Sequence, residues 1–178
     1  MSEIVEVSDE ALEEIVRKEA LAEFIKIKRE LEEELRKLRS AWFRATDISS
    51  IEYETKVAEL WRMYRWGDIV RCPYCGSVDV RQYGYQTRKG YTIPVKFYLC
   101  KRCGRKFSDF SGTPFYKTIL TPGQIASIAE LYDMGFPTRL VAEWLGVSKT
   151  VIVRAYKIFR ENPDLLAIFL AIVEEVWK

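Results

Sequence analysis

Residues 72–76 read Cys-Pro-Tyr-Cys-Gly and residues 100–104 read Cys-Lys-Arg-Cys-Gly, and these two stretches contain all four cysteines of the 178-residue chain. A Cys-x-x-Cys turn supplies two thiolates from one tight loop, and two such turns complete the tetrahedron of soft ligands that Zn²⁺ prefers. The chain has no histidine, so an all-cysteine site is the conventional structural zinc site open to it. We therefore predict one structural Zn²⁺, bound by Cys72, Cys75, Cys100 and Cys103.

Two other uses of four cysteines are a pair of disulfides and a redox-active Cys-x-x-Cys. Disulfides are typical of secreted proteins, whereas residues 1–6 are acidic and lack the basic region of a signal peptide. A redox motif would not need a second copy. The longest apolar run, residues 165–173, is too short to span a membrane. We therefore expect a cytoplasmic, nucleoid-associated protein without a membrane partner.

The residues between the cysteine pairs alternate as strands do over 78–83 and 91–97, with Arg88-Lys89-Gly90 as the turn. Residues 105–107 are predicted to form a third short strand. Pro94 is expected either to place the second strand at a sheet edge or to end its ladder locally. The pattern predicts a zinc ribbon, a small sheet with too little core to fold without its metal.

The net charge of +2 is distributed unevenly along the chain. Residues 66–120 carry 10 basic and 3 acidic side chains, a net charge of +7, while residues 1–65 carry −4 and residues 121–178 carry −1. Positive charge interleaved with tyrosines around the zinc site suits phosphate contacts with some stacking, although it also suits a protein-docking surface. From this segment we predict that DNA is contacted by Arg88, Lys89, Arg105 and Lys106.

Residues 1–65 are predicted to form a helical hairpin with coiled-coil-like character. Ser8 is suited to cap a long first helix, and Ser49 to Glu52 form a capping box for a second. The acidic side chains are expected on a solvated face. A long amphipathic helix needs a partner, and the sequence leaves open whether that partner is the second helix or a second chain in a homodimer. The apolar positions of the first helix are Leu12, Val16, Leu21, Phe24, Ile27, Leu31, Leu35, Leu38 and Trp42.

Residues 121–178 are predicted to form four helices. Thr121 and Gln124 form a capping box for the first, which ends near Met134; the second ends at Gly146, and the third begins after Ser148. Two short helices joined by a Gly-Val-Ser turn and preceded by another are typical of a helix-turn-helix. The last helix begins at 162–164 and is apolar on more than one face, so the same chain or a second subunit must cover it.

The third of these helices is predicted to read DNA, because a recognition helix presents its N-terminal residues to base edges in the major groove. Arg154 suits a bidentate guanine contact, and Val153 suits a thymine methyl group. The alternative is a three-helix domain whose basic residues are merely solvated. The residues expected to pack inward are Ile152, Ala155, Tyr156 and Phe159. The predicted DNA-contacting residues are Lys149, Thr150, Val153, Arg154, Lys157 and Arg160.

Three stretches together resemble the zinc ribbon of insertion-sequence proteins related to transposases. They are Cys-Pro-Tyr-Cys-Gly at 72–76, Cys-Lys-Arg-Cys-Gly-Arg-Lys-Phe-Ser at 100–108 and Gly-Thr-Pro-Phe at 112–115. In those proteins a helix-turn-helix follows the ribbon, so the resemblance covers residues 71–160. It implies sequence-directed DNA binding by a stand-alone regulator or by the DNA-binding part of a transposase. It further implies that the four cysteines are the zinc ligands and that the third helix is the reading element.

The expected fold is mainly α with a small β zinc ribbon, in three parts: 1–65, 66–120 and 121–178. No segment has the length or strand–helix alternation of a metal-dependent nuclease domain, so we expect no enzyme. The expected function is that of a homodimeric, sequence-specific regulator of transcription that binds double-stranded DNA. The alternatives are the DNA-binding subunit of a transposition system with a separate transposase, and an adaptor that binds the transcription machinery. One asparagine and three glutamines among many charges suggest a thermophilic source.

Overall fold

A computed structural model describes the backbone of residues 9–46 and 51–178, and the side chains of residues 13–34 and 51–178. The predicted caps at Ser8 and Ser49 lie outside these residues. The chain divides into two compact units, Met1–Thr46 and Asp47–Lys178. Among the described residues, no helix is both long enough and apolar enough to cross a membrane. The elements in chain order are α1 (Asp9–Thr46), α2 (Ile51–Trp66), β1 (Val80–Gln86), β2 (Val95–Cys100), β3 (Lys106–Ser108), α3 (Pro122–Asp133), α4 (Thr138–Leu145), α5 (Lys149–Glu161) and α6 (Pro163–Val176).

The helix α2 packs against helices that follow it in the chain. Its buried residues include Tyr53, Val57 and Trp61, and the ring of Trp61 stacks between Phe110, at a centroid distance of 5.3 Å, and Phe169 of α6, at 5.0 Å. Its apolar face is therefore covered by other helices of the second unit, and the helical hairpin of residues 1–65 stays a prediction. The division of the chain at residues 65 and 120 stays a prediction.

Helix α6 is covered by its own chain. Its residues Phe169, Ile172 and Val173 are buried, and α6 packs on both α2 and α3. At its C-terminal end, the ammonium group of Lys56 in α2 donates a hydrogen bond to the carbonyl of Val176 at 2.7 Å. The sequence left open whether the same chain or a second subunit covers this apolar helix. The buried face of α6 is covered by the same chain and needs no second subunit.

The ribbon is a three-stranded antiparallel sheet in the order β1-β2-β3. Its second strand begins at Val95, so the prediction of strand structure for residues 91–93 was wrong. The reason is Pro94, which has no N–H to donate to a ladder. Because β2 is the central strand, Pro94 ends the ladder locally and does not mark an edge. A bulge between Gln82 and Gly84 shifts the register of β1.

The core of the ribbon is small and combines metal-site and aromatic residues. Cys72, Tyr98, Cys100 and Phe107 are buried together, with Trp66 from the end of α2 packed against them. The Tyr98 and Phe107 rings stack at 5.3 Å. The ribbon therefore completes its core with a side chain from the preceding helix.

A buried carboxylate, that of Asp109 just after β3, joins the ribbon to α2. Arg62 Nε donates to one carboxylate oxygen at 2.8 Å, while Tyr98 Oη and Trp66 Nε1 donate to the other at 3.0 and 3.3 Å. The Asp109 carbonyl accepts a further bond from Trp61 Nε1 at 3.1 Å. The pKa of Tyr98 is raised, chiefly because the side chain is buried and secondly because the Asp109 charge is nearby. A buried charge is tolerated when it is paired and its hydrogen-bond sites are filled. The Asp109 carboxylate meets both conditions.

A second buried carboxylate, Glu54 of α2, lies at the N-terminus of α3. The predicted capping box of Thr121 and Gln124 is confirmed. Glu54 adds to it: it accepts from the backbone N–H of Gly123 at 2.9 Å and from the hydroxyl of Thr121. Burial raises its pKa, while these two bonds oppose the rise. The expectation that the acidic residues of the first segment are solvated is therefore wrong for Glu54, because a helix N-terminus favours a carboxylate.

Helices α3, α4 and α5 have the predicted bounds to within about a residue. Gly146, in the left-handed region at φ 65°, ends α4, and Ser148 occupies the N-cap position of α5 without a side-chain capping bond. As predicted, Ile152, Ala155 and Phe159 of α5 are buried. The hydroxyl of Tyr156 donates to the carbonyl of Phe136 at 2.8 Å, which ties α5 to the connection between α3 and α4.

Replacing Asp109 by alanine should lower the free energy of unfolding by about 3 kcal/mol or more, because Arg62, Tyr98 and Trp66 lose a buried acceptor and Arg62 loses its counter-ion. Urea unfolding followed by tryptophan fluorescence measures the change. The matched control is Asp79→Ala, which removes an exposed carboxylate of the same ribbon that pairs with Lys101 at 3.3 Å; this loss should stay below about 1 kcal/mol. Equal losses in the two variants would contradict the role assigned to Asp109.

Candidate metal centre and nucleic-acid interface

The two Cys-x-x-Cys-Gly turns have the same backbone geometry. Gly76 and Gly104 both have φ +70°, in the left-handed region that favours glycine. The N–H of each glycine donates to the carbonyl of the first cysteine of its pair, Cys72 or Cys100, at 2.9 Å. Each turn therefore directs both of its thiols to the same side, which is why a glycine follows each pair in the sequence.

The four sulfur atoms form a compact cluster. All four Sγ atoms lie within 4.8 Å of one another, with Cys72 and Cys103 at 3.7 Å and Cys75 and Cys100 at 3.6 Å. Zinc–sulfur bonds of about 2.3 Å in a tetrahedron place the sulfurs about 3.8 Å apart. All four cysteines are free of disulfides. The residues fit a tetrathiolate zinc site, and the prediction of one structural Zn²⁺ bound by these four cysteines is confirmed.

The backbone helps to keep one of the ligands, Cys100, in the thiolate form. The N–H of Cys103 donates to the sulfur of Cys100 and lowers the pKa of that thiol to about 7. Metal binding requires deprotonated cysteine, so amide groups aimed at the sulfur favour the binding state. Cys72 and Cys100 are buried, while Cys103 is exposed.

The basic residues predicted on the ribbon lie over aromatic rings. Lys106 Nζ is 3.7 Å from the centroid of the Tyr83 ring, and the Arg105 guanidinium is 5.1 Å from that of Tyr74. Both basic side chains are exposed. Cations held over rings lose some side-chain freedom but keep their charge available. These two positions are therefore ordered positive charges at the ribbon surface.

Arg88 and Lys89, the other two predicted contacts, lie in the loop between β1 and β2. Arg88 is half-buried, with its guanidinium 5.7 Å from the Phe97 centroid and 5.9 Å from that of Tyr91. Lys89 is exposed. The structure therefore assigns Arg88 a packing role that the sequence did not indicate, and leaves Lys89 as the accessible charge of the loop.

Helix α5 exposes all six of its predicted DNA-contacting residues on the face opposite its buried residues. One of them, Lys157, also forms an ion pair with Glu161 at 3.8 Å. Since the helix is anchored by Ile152, Ala155 and Phe159, the orientation of this face is fixed by the core. The exposed residues are Lys149, Thr150, Val153, Arg154, Lys157 and Arg160.

A cleft beside α5 contains a residue that the sequence analysis missed. Residues 114–120, which connect the ribbon to α3, line this cleft together with Val151, Arg154 and Ile158 of α5. Lys117 therefore lies on the same cleft as Arg154, in a left-handed backbone conformation of φ 61°. In the sequence Lys117 is one of the ten basic residues of segment 66–120. No spacing rule predicts that residues 114–120 lie beside α5.

Replacing Cys103 by serine should abolish stable zinc binding without leaving a buried cavity, because Cys103 is the exposed ligand. Zinc contributes its binding free energy to the folding of such small sites, so the ribbon should unfold under a chelator that the parent protein withstands. Zinc content after dialysis and the melting temperature measure the effect. The control is Arg102→Ser in the same turn, which should retain one zinc ion per chain; equal retention by Cys103→Ser would contradict the ligand assignment.

Comparison with known proteins supports the zinc ribbon and connects it with transposable elements. Residues 70–108 match the family model described as Transcription factor S-II (TFIIS). A protein of Halobacterium salinarum, described as an uncharacterized protein in transposable element ISH50, is 37% identical over 68 residues. That match covers 38% of this chain and 21% of the relative, so the chain spans about a fifth of the relative's length. No solved structure matches the chain. The chain thus contains a TFIIS-type zinc ribbon and is similar over part of its length to a protein of an insertion-sequence element.

Proposed function

We propose that this protein binds double-stranded DNA in a sequence-specific manner and regulates transcription. Helices α3, α4 and α5 act as a helix-turn-helix, with α5 in the major groove. The observation that supports this most directly is the exposure of all six predicted contact residues of α5 on one face of a helix whose opposite face is buried. The proposal includes no catalytic activity.

Base reading is assigned to the N-terminal half of α5. Lys149 and Thr150 occupy its first turn, and Val153 and Arg154 follow one turn later on the same exposed face. A recognition helix contacts base edges with this part of its length. An arginine there can donate two hydrogen bonds to guanine, which distinguishes guanine from the other bases in the major groove.

Phosphate contacts are assigned to the basic residues of the ribbon and to Lys117 in the cleft beside α5. The ribbon segment carries a net charge of +7, and one of its few carboxylates, Asp109, is buried and paired with Arg62. Its exposed cations include Lys89, Arg105 and Lys106. Such contacts give affinity and orientation without sequence information, which complements the reading role of α5.

Two other functions have a specific observation in their favour. The relative from a transposable element favours a DNA-binding subunit of a transposition system that works with a separate transposase. The match to a family described as a transcription factor favours an adaptor that binds the transcription machinery. In all three we expect a homodimer, because the long amphipathic helix α1 requires a partner.

Arg154→Ala should weaken binding to the preferred sequence by about 1–3 kcal/mol and relax the preference at one base position. Selection of bound sequences from random DNA by the parent protein defines the preferred site, and titrations with that site and with single-base variants measure the change. The control is Lys178→Ala, which removes a basic residue outside α5. It should leave both the affinity for the preferred sequence and the base preference unchanged. A parent protein that selects no sequence would contradict specific binding.

Replacing Arg105 and Lys106 together by alanine should weaken binding to all DNA sequences alike. For every phosphate that is no longer neutralised, the slope of log K against log salt concentration should become shallower by roughly 1. Titrations between 50 and 200 mM salt, about the range in which such slopes are large, give the slope for the parent and the variant. An unchanged slope would remove the ribbon from the DNA interface, and absence of DNA binding even at low salt would favour the adaptor function.

A further inference from the structure

One stripe of apolar residues in α1 recurs every eleven residues. Val16, Ala20, Phe24, Ile27 and Leu31 follow one another in steps of 4, 4, 3 and 4. The sequence continues the same series with Leu35, Leu38 and Trp42, so that residues 16, 27 and 38, residues 20, 31 and 42, and residues 24 and 35 are related by eleven. An eleven-residue repeat corresponds to about 3.67 residues per turn, which gives a right-handed supercoil. The steps of 4, 3 and 4 from Leu31 to Trp42, which by themselves match a heptad, are thus part of a longer, different repeat.

This stripe is exposed to solvent along the described part of the helix. The exposed fractions are 60% for Val16, 65% for Phe24 and 59% for Leu31. The helix itself is continuous over 38 residues. A continuous helix with an exposed apolar stripe of constant period is the form that helix pairing requires.

The two edges of the stripe carry opposite charges. On one edge the basic residues Arg17 and Lys28 are eleven residues apart, and on the other edge Glu23 and Glu34 are also eleven apart. The basic edge continues in the sequence with Arg39. Each charged edge therefore follows the period of the stripe.

We propose that α1 pairs with α1 of a second copy of this chain in a parallel, in-register coiled coil. In a parallel pair the acidic edge of one helix faces the basic edge of the other, so that Glu23 of one copy lies beside Lys28 of the second. An antiparallel pair would place basic edge against basic edge and acidic against acidic. Edge charges of this kind set partner choice and orientation in coiled coils, and here they favour the parallel pair.

The parallel α1 pair is a specific form of the homodimer expected in the proposed function. Only the biological purpose of the pair, the binding of DNA, rests on the proposed function. A parallel pair brings the C-terminal ends of both α1 helices together, so two copies of the following unit start from the same end. Two-fold related units of this kind bind two half-sites of a palindrome. None of the tests below involves DNA, so their failure and the failure of DNA binding can be told apart.

Single cysteines introduced into the zinc-loaded full chain test the orientation. Val16→Cys and Leu31→Cys should each form a disulfide-linked dimer under mild oxidation, because identical positions face each other in a parallel, in-register pair. Lys18→Cys, on the opposite side of the helix, is the control and should stay largely unlinked. An antiparallel pair can link at most one of the two stripe positions to itself, so linking of only one, or of neither, would overturn the proposal.

Charge reversal tests the pairing of the edges. Arg17→Glu combined with Lys28→Glu makes both edges acidic, and Glu23→Lys combined with Glu34→Lys makes both basic. Each variant alone should dimerise roughly tenfold more weakly than the parent in sedimentation equilibrium, and an equimolar mixture should recover the parent affinity. Circular dichroism verifies that both variants remain helical. A parent chain that sediments as a monomer, or variants that dimerise as tightly as the parent, would refute the parallel pair.

Discussion

The second unit depends on the buried Asp109 carboxylate and the donors around it. A three-stranded ribbon has almost no core of its own, and its buried aromatic residues must be covered by a side chain from outside the sheet, here Trp66. Asp109 holds α2 and the ribbon together by accepting hydrogen bonds from Tyr98 of the ribbon and from Arg62 and Trp66 of α2. Because an unpaired buried charge is costly, the ribbon has one energetically favoured position on α2, where each partner satisfies the others.

Helix α2 consequently connects two different structures. Near its C-terminal end, Arg62 and Trp66 contact the ribbon, and near its N-terminal end Glu54 lies at the N-terminus of α3. Between them, Trp61 stacks on Phe169 of α6. The same helix thus orients the metal-binding sheet and the first of the three helices to which DNA binding is assigned. No space remains at the α3 contact, since a Cβ on Gly123 would lie 2.7 Å from a Glu54 oxygen.

The sequence was sufficient wherever a local rule determines the outcome. The spacing and the following glycines of the cysteine pairs predict the metal site, capping residues predict the bounds of α3 to α6, and a 3.6-residue period predicts which face of α5 is buried. It was insufficient for tertiary choices. Periodicity shows that α2 has an apolar face but not that α3 and α6 cover it, and nothing local separates the buried Glu54 and Asp109 from solvated carboxylates. Arg88 is half-buried for a similar reason, since one of its two aromatic neighbours, Phe97, comes from strand β2.

The position of Glu54, Arg62 and Trp66 on one helix also determines how the molecule can be divided. Sequence motifs suggest that a fragment could start just before Cys72, with the ribbon complete. Such a fragment would lack the counter-ion of Asp109, the ring that closes the ribbon core and the carboxylate at the start of α3. The shortest self-sufficient portion of the second unit therefore includes α2, and a recombination event that exchanged the ribbon alone would separate residues that have to be inherited together.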